Sequence, residues 1–289
     1  MTTATTAMNS RAAALRAGLS RGWIETRQNF TETAYLFGNA LPALAYIGVL
    51  LFIGDRPLPG TEYALVTMVL PGLLGMTIVY GGLSSPAPQI TADREDGTLL
   101  RAKATPQGMI GYLVGKVVTF ASITAISLAA ILIPGLLIVD GLVLDTRAWL
   151  LLVLLYVTGM VATVPIGLAL GSLMRSSMQA VLVPLVCTVI MIVSGIFFPI
   201  TILPRWLQLA AQAFPFYWVG LGARSAMLPA EMVTVEIGGS WRTLEMFAVL
   251  GVWAVIGFLF APVVMRRMAR RQSGSSVASV RERYMSKGY

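Results

Sequence analysis

Asp93, Glu95 and Asp96 form the one acidic cluster in the sequence, and three carboxylates that close could hold Mg²⁺ against a lipid phosphate. No second acidic motif completes such a site. The chain has no His and a single Cys, Cys187, set in an apolar run. That removes imidazole bases, Ser-His nucleophile pairs, an intrachain disulfide and most zinc or haem sites. A nucleotide phosphate loop needs Gly, four residues, then Gly-Lys and a hydroxyl side chain. Gly111-Tyr112-Leu113-Val114-Gly115-Lys116-Val117 comes closest, but it is one residue short between its glycines and has Val117 where the Mg²⁺-binding hydroxyl belongs. No catalytic, cofactor-binding or metal-binding residue is therefore expected on this chain.

The elements that carry these residues are built for lipid. Of 289 residues 56% are apolar and 12% charged, with a mean hydropathy of +0.77, too apolar for an ordinary soluble domain. Six uncharged runs follow one another: Leu36–Ile53, Tyr63–Ser85, Val117–Val139, Ala148–Met174, Ser176–Leu203 and Met246–Met265. A helix of about 20 residues, rising ~1.5 Å per residue, crosses a ~30 Å hydrocarbon layer. Trp206–Ala223 is also apolar, but Pro215 breaks it and Arg205 and Arg224 flank it. It reads as an interfacial or re-entrant segment.

Every acidic residue lies outside the runs, and no Lys or Arg sits at the middle of one. Ion-driven transporters place such groups at membrane depth, where coupling free energy acts; that machinery is missing here. Asn39, Gln179, Thr119, Ser122, Thr124, Thr163, Ser172, Thr188 and Ser194 are the polar groups left for a path. Each more readily bonds a neighbouring helix or its own backbone than a substrate.

Six spans put both termini on one side. Sixteen Lys and Arg fall on the side of the termini and five on the other, so the positive-inside rule makes the termini cytoplasmic. Arg266, Arg267, Arg270 and Arg271 follow the last span, where anionic lipid heads attract each cation by ~1 kcal/mol, and nucleic acid is not an expected partner. The predominance of Arg over Lys hints at a G+C-rich bacterial genome, hence a bacterial plasma membrane. Near the start, Arg11, Arg16, Arg21 and Arg27 are spaced among Leu15, Leu19, Trp23 and Phe30. That spacing predicts an amphipathic helix, either a headgroup anchor or a docking element, and no cleaved leader.

One inward loop has distinctive content. In Asp93 to Pro106, Asp96 or Thr98 can cap a short helix whose Leu99 and Leu100 face inward, and Thr105-Pro106 ends it before the third span. Glu95-Asp96-Gly97-Thr98-Leu99 with Thr105-Pro106 resembles the motif of type-2 ABC exporter permeases. A second block resembles the same family's element between spans five and six: Phe198-Pro199, Leu203-Pro204-Arg205-Trp206-Leu207, Phe214-Pro215 and Arg224. The daunorubicin-type drug-export permeases are the most similar.

The resemblance implies an all-α integral membrane fold of six transmembrane helices, with an N-terminal amphipathic interface helix and a re-entrant helical hairpin between spans five and six. The divisions expected are a cytoplasmic tail and interface helix at 1–35, a transmembrane domain at 36–265 with a coupling loop at 86–108 and an extracytoplasmic gate at 199–242, and a basic tail at 266–289. It also implies a separate ATPase dimer that binds ATP and Mg²⁺ and drives the permease. Glu95, Asp96, Gly97, Thr98, Leu99 and Arg101 would couple to that ATPase; Arg16, Leu19, Trp23 and Arg27 would lie on the interface helix; Arg175-Ser176-Ser177 would make a smaller contact. Pro199, Pro204, Trp206, Phe214, Pro215, Phe216, Trp218 and Arg224 would close the exit. A second permease copy, or a related one, would complete the path, and membrane lipids would surround it. With no ring of charge, the cargo expected is hydrophobic or amphipathic, such as a drug, antibiotic or lipid. A non-exporting ABC assembly, a secondary transporter and a membrane-embedded lipid-modifying enzyme are the alternatives.

Overall fold

The computed structural model describes residues 2–31, 33–57, 62–105 and 107–271, and only the backbone of 2–11, 34–39 and 269–271. Pro106, the basic tail beyond Arg271 and the side chains of Arg11, Asn39, Arg270 and Arg271 lie outside this description. Helix dominates, and the only β contact among the described residues is an isolated bridge between Pro57 and Ala64.

The chain begins with α1 (Thr2–Thr31) and α2 (Thr33–Ile53). Then α3 (Leu65–Val79) runs through a five-residue π turn, Tyr80–Ser84, into α4 (Pro86–Glu95). The sequence reading put a loop from residue 86, yet the helix continues for ten more residues. Pro86, which has no N–H to donate, stands just after the π turn at the first position of α4. Gly97 then turns the chain with φ +79°, a conformation that suits glycine, and α5 (Thr98–Lys103) begins.

Two long helices follow. They are α6 (Gly108–Ile138) and α7 (Thr146–Leu173), the second capped by Asp145, whose carboxylate accepts from the Ala148 N–H at 2.7 Å. After α8 (Ser177–Ala180) and α9 (Leu182–Val193), a short 3₁₀ turn at Ile200–Ile202 leads to α10 (Arg205–Gln212) and α11 (Pro215–Met227). A second 3₁₀ segment, Ala230–Val235, precedes α12 (Thr243–Arg271).

Four helices among the described residues are long and apolar enough to cross a membrane: Leu65–Glu95, Gly108–Ile138, Thr146–Leu173 and Thr243–Met268. The first and fifth apolar runs of the sequence appear as the shorter helices Ala40–Ile53 and Ser177–Val193. The chain is thus an all-helical, multi-pass membrane protein. Its core is centred on α11, which is enclosed by α3, α7 and α12. A Cβ on Gly75 would stand 2.9 Å from the Gly220 Cα, and one on Gly222 would meet Leu155 and Met246. Close approach of backbones through small residues is the usual way helices gain contact in lipid, where water supplies no driving force between them.

Candidate functional site

The residues singled out in the sequence collect at the two ends of the bundle. At one end α4, Gly97 and α5 make a tight corner. Leu99 is 1% exposed and anchors α5 to the core, while Asp96, Arg101 and Lys103 face outward. The Asp96 carboxylate accepts from the Thr98 N–H at 2.7 Å, and the Arg101 guanidinium donates to the Thr98 hydroxyl at 2.9 Å. Asp96 therefore caps the short helix from outside it, as expected, and Leu99 points inward.

Glu95 ties this corner to the start of α8. Its carboxylate accepts from the Ser177 N–H at 2.9 Å and from the Ser177 hydroxyl at 2.6 Å. Arg94 beside it donates to the Met174 carbonyl. The Glu95 and Arg175–Ser177 segments, read separately in the sequence, are thus one contact across 82 residues of chain.

The long helix α1 lies against α6. Leu19 and Trp23 are 53% and 64% exposed, and Arg16 and Arg27 share that outer face. The inner face carries Gly18, Gly22, Thr26 and Asn29. A Cβ on Gly18 would stand 2.6 Å from the Gly111 carbonyl, and one on Gly22 would stand 2.6 Å from that of Gly115. Two Gly-x-x-x-Gly pairs therefore mesh backbone to backbone. The glycines that fell one residue short of a phosphate loop serve helix packing.

Lys116, next to that contact, is the hub of a charged cluster that sequence reasoning missed. Its ammonium, 3% exposed as a residue, donates to Glu25 of α1 at 3.0 Å and to Asp93 of α4 at 2.7 Å. The Arg21 guanidinium donates to the other Glu25 oxygen at 2.8 Å, and the Tyr112 hydroxyl donates to Asp93 at 2.8 Å. The Thr119 hydroxyl lies 3.2 Å from Glu25 and 2.9 Å from the Gly115 carbonyl. Burial opposes ionisation of Glu25, but Lys116 and Arg21 outweigh it and hold the carboxyl below its ordinary value. The signal available in the sequence was the matched spacing of Gly18 and Gly22 with Gly111 and Gly115, which brings Glu25 beside Lys116. Of the acidic cluster, Asp93 turns to Lys116, Glu95 to Ser177 and Asp96 to Thr98, so the three carboxylates do not converge. No group of three potential metal ligands exists among the described residues.

At the opposite end α10 and α11 follow one another around Pro215. Trp206 is 69% exposed on α10. Phe216 and Tyr217 are fully buried and Trp218 nearly so. These three pack the core and offer no aromatic face to a path, and the Trp218 indole N–H donates to the Gln212 carbonyl at 2.6 Å. Arg224, with no exposure, donates from Nε to Glu236 at 2.7 Å and from Nη1 to the Ile196 carbonyl at 3.0 Å. Glu236 had no sequence signal, since it sits twelve residues on in an irregular segment. Pro199 and Phe214 are half-buried, and Pro204 is exposed.

Of the polar groups offered to a path, Thr163 and Ser172 donate to their own helix at Gly159 and Leu168, and Ser194 to Met191. The Gln179 side-chain oxygen accepts from the Arg175 N–H. Thr124 and Thr188 instead line a cavity of about 850 Å³ between α2, the α3–α4 helix, α6 and α9.

This geometry, two long-range bonded ends joined by a helical bundle with a cavity in its side, suits mechanical work on a guest better than bond chemistry. A family model described as ABC-2 type transporter matches residues 13–228, about three quarters of the chain. No curated protein matches the sequence.

Proposed function

Since the chain belongs to the ABC-2 type transporter family and is therefore the membrane permease component of an ABC transporter, not itself catalytic, we propose that it is an exporter subunit. In this reading it works in a bacterial plasma membrane with both termini cytoplasmic, and two permease chains of six spans each enclose the path. The shorter helices Ala40–Ile53 and Ser177–Val193 supply the first and fifth spans. An ATP-binding cassette partner is implied by the family in general; the dimeric ATPase holds the ATP and Mg²⁺. The cargo is hydrophobic or amphipathic, and the daunorubicin-type drug exporters are the nearest functional parallel.

The single observation that carries the reading is the corner at Gly97. It presents Asp96 and Arg101 outward while Leu99 and the Glu95–Ser177 bonds hold it to the bundle. A docked ATPase can shift the permease only by the difference in docking free energy between its two states. The corner must therefore be stiff, and bonding Glu95 to a distant helix start makes it so. Leu19, Trp23, Arg16 and Arg27, on the outer face of α1, offer a second contact beside it. Pro199 to Arg224, with α10 and α11, forms the extracytoplasmic gate.

The test is ATP-dependent transport by permease and ATPase reconstituted together, with the proton gradient collapsed. Transport that continues while ATP lasts supports the reading. Transport that stops with the gradient points to a secondary transporter. Glu95→Ala and Gly97→Pro should insert normally and lose export; equal transport by correctly inserted variants would remove the coupling assignment.

A further inference from the structure

The helix made by α3 and α4 contains one residue more than regular winding needs. The Ser85 N–H donates to the Tyr80 carbonyl at 3.2 Å, five residues back instead of four. Such π turns arise by a one-residue insertion and concentrate at functional sites. Without it, Ser84 would follow Tyr80 on the same face, and everything beyond would be turned by about 100°. With it, Tyr80, Ser85 and Gln89 form one stripe, while Ser84 is turned into the core with 1% exposure.

That stripe faces the 850 Å³ cavity, and Asn29 of α1 closes the same end. Much of the remaining wall is apolar, and no Asp, Glu, Lys or Arg lines it. The polar groups present are uncharged hydroxyls and amides, which can both donate and accept. The Thr77 hydroxyl donates to the Leu73 carbonyl at 2.7 Å and the Thr188 hydroxyl to the Pro184 carbonyl at 2.9 Å, so each turns lone pairs to the space. The Ser85 hydroxyl is directed to the Tyr80 carbonyl at 3.4 Å. The Gln89 side-chain oxygen is buried with no partner among the described residues. A neutral guest can exchange hydrogen bonds with the hydroxyl and amide groups along this wall in place of water.

We propose that the Tyr80–Ser85–Gln89 stripe is the head-group reading site of this cavity, and that the guest is a neutral amphiphile whose polar end carries hydroxyl or amide groups. The inference rests on the permease reading and names its substrate class. An anionic head would lose its water without finding a cation, and a cationic head without finding a carboxylate. The apolar wall takes the hydrocarbon part.

The experiment is saturable binding of labelled dodecyl maltoside, dodecyl sulfate and dodecyltrimethylammonium, below micellar concentration, to the full chain in lipid nanodiscs, with empty discs as background. The maltoside should bind about tenfold tighter than either charged probe, the factor of one buried hydrogen bond. Gln89→Leu should remove most of that preference without affecting binding of the sulfate, and Ser85→Ala, a smaller change that keeps the packing, should weaken the maltoside by a few-fold. Charged probes that bind as tightly, a preference that survives both variants, or no saturable binding would each overturn the proposal. ATP-driven export assayed separately tells the two readings apart: export without head-group preference removes this inference alone. Gln89-dependent binding of a maltoside that ATP never moves leaves the site standing and removes the export reading.

Discussion

The two ends of the bundle are held by opposite kinds of bond. Where α1, α4 and α6 meet, Lys116 shares its charge between Glu25 and Asp93, whose side chains keep 19% and 14% of their exposure. Where α11 meets the segment before α12, a single ion pair, Arg224 with Glu236, has no exposure on either side. The first is a distributed network that solvent reaches, so any one bond can be traded for another at small cost. The second is dry, and removing one partner leaves a naked charge in the core. The first cluster thus tolerates the loss of a single partner, whereas the second is all-or-none.

The sharpest way to break this contrast is at the dry end. Arg224→Met should cost about 3–5 kcal/mol by stranding Glu236, seen as a large fall in the unfolding midpoint of the purified protein. Arg224→Met with Glu236→Leu should recover most of it. A double variant as unstable as the single one would mean that the carbonyls of Gly195 and Ile196, not the carboxylate, are what Arg224 serves. At the wet end Lys116→Met should cost less, about 1.5–3 kcal/mol for its charged hydrogen bonds, measured the same way. A loss equal to that of Arg224→Met would erase the difference between the ends.

Gly22→Ala tests the packing beneath the network. Its Cβ would come within 2.6 Å of the Gly115 carbonyl, so α1 must move off α6 at a cost of about 1–3 kcal/mol. Loss of cysteine cross-linking between the two helices would report it, and unchanged cross-linking would contradict the close approach. The smallest effect is that of pH. Glu25 is held below its ordinary value, so its contribution is present at neutral pH, above the unfolded value, and fades as pH falls through the lower folded one. Acidification should therefore loosen α1 from α6, read by hydrogen exchange in the Gly18–Thr26 stretch, and Glu25→Gln should flatten that response.

Much of this organisation was legible from the residues. Four of the apolar runs marked helices long enough to cross a membrane, because hydrocarbon admits few alternatives to a closed helix. Asp96 and Leu99 announced their corner through local chemistry, a cap and an inward anchor, whereas the left-handed turn at Gly97 appears only in the structure. The π turn at Tyr80 left no trace in the apolar pattern, since the helix around it is buried on nearly every side and periodicity has nothing to register. Glu236 and Glu25 looked like surface acids because their cations lie 12 and 91 residues away, a distance that pattern reading does not bridge. Phe216 and Trp218 were assigned to the exit by family resemblance, whereas tertiary packing sets them in the core.

The meshed glycines of α1 and α6 carry one last consequence. Most helix pairs are separated by a layer of side chains that can absorb a shove by changing rotamers. Here carbonyl meets α-carbon with nothing between, so this joint has no slack to take up: whatever displaces α1 displaces α6 by the same amount.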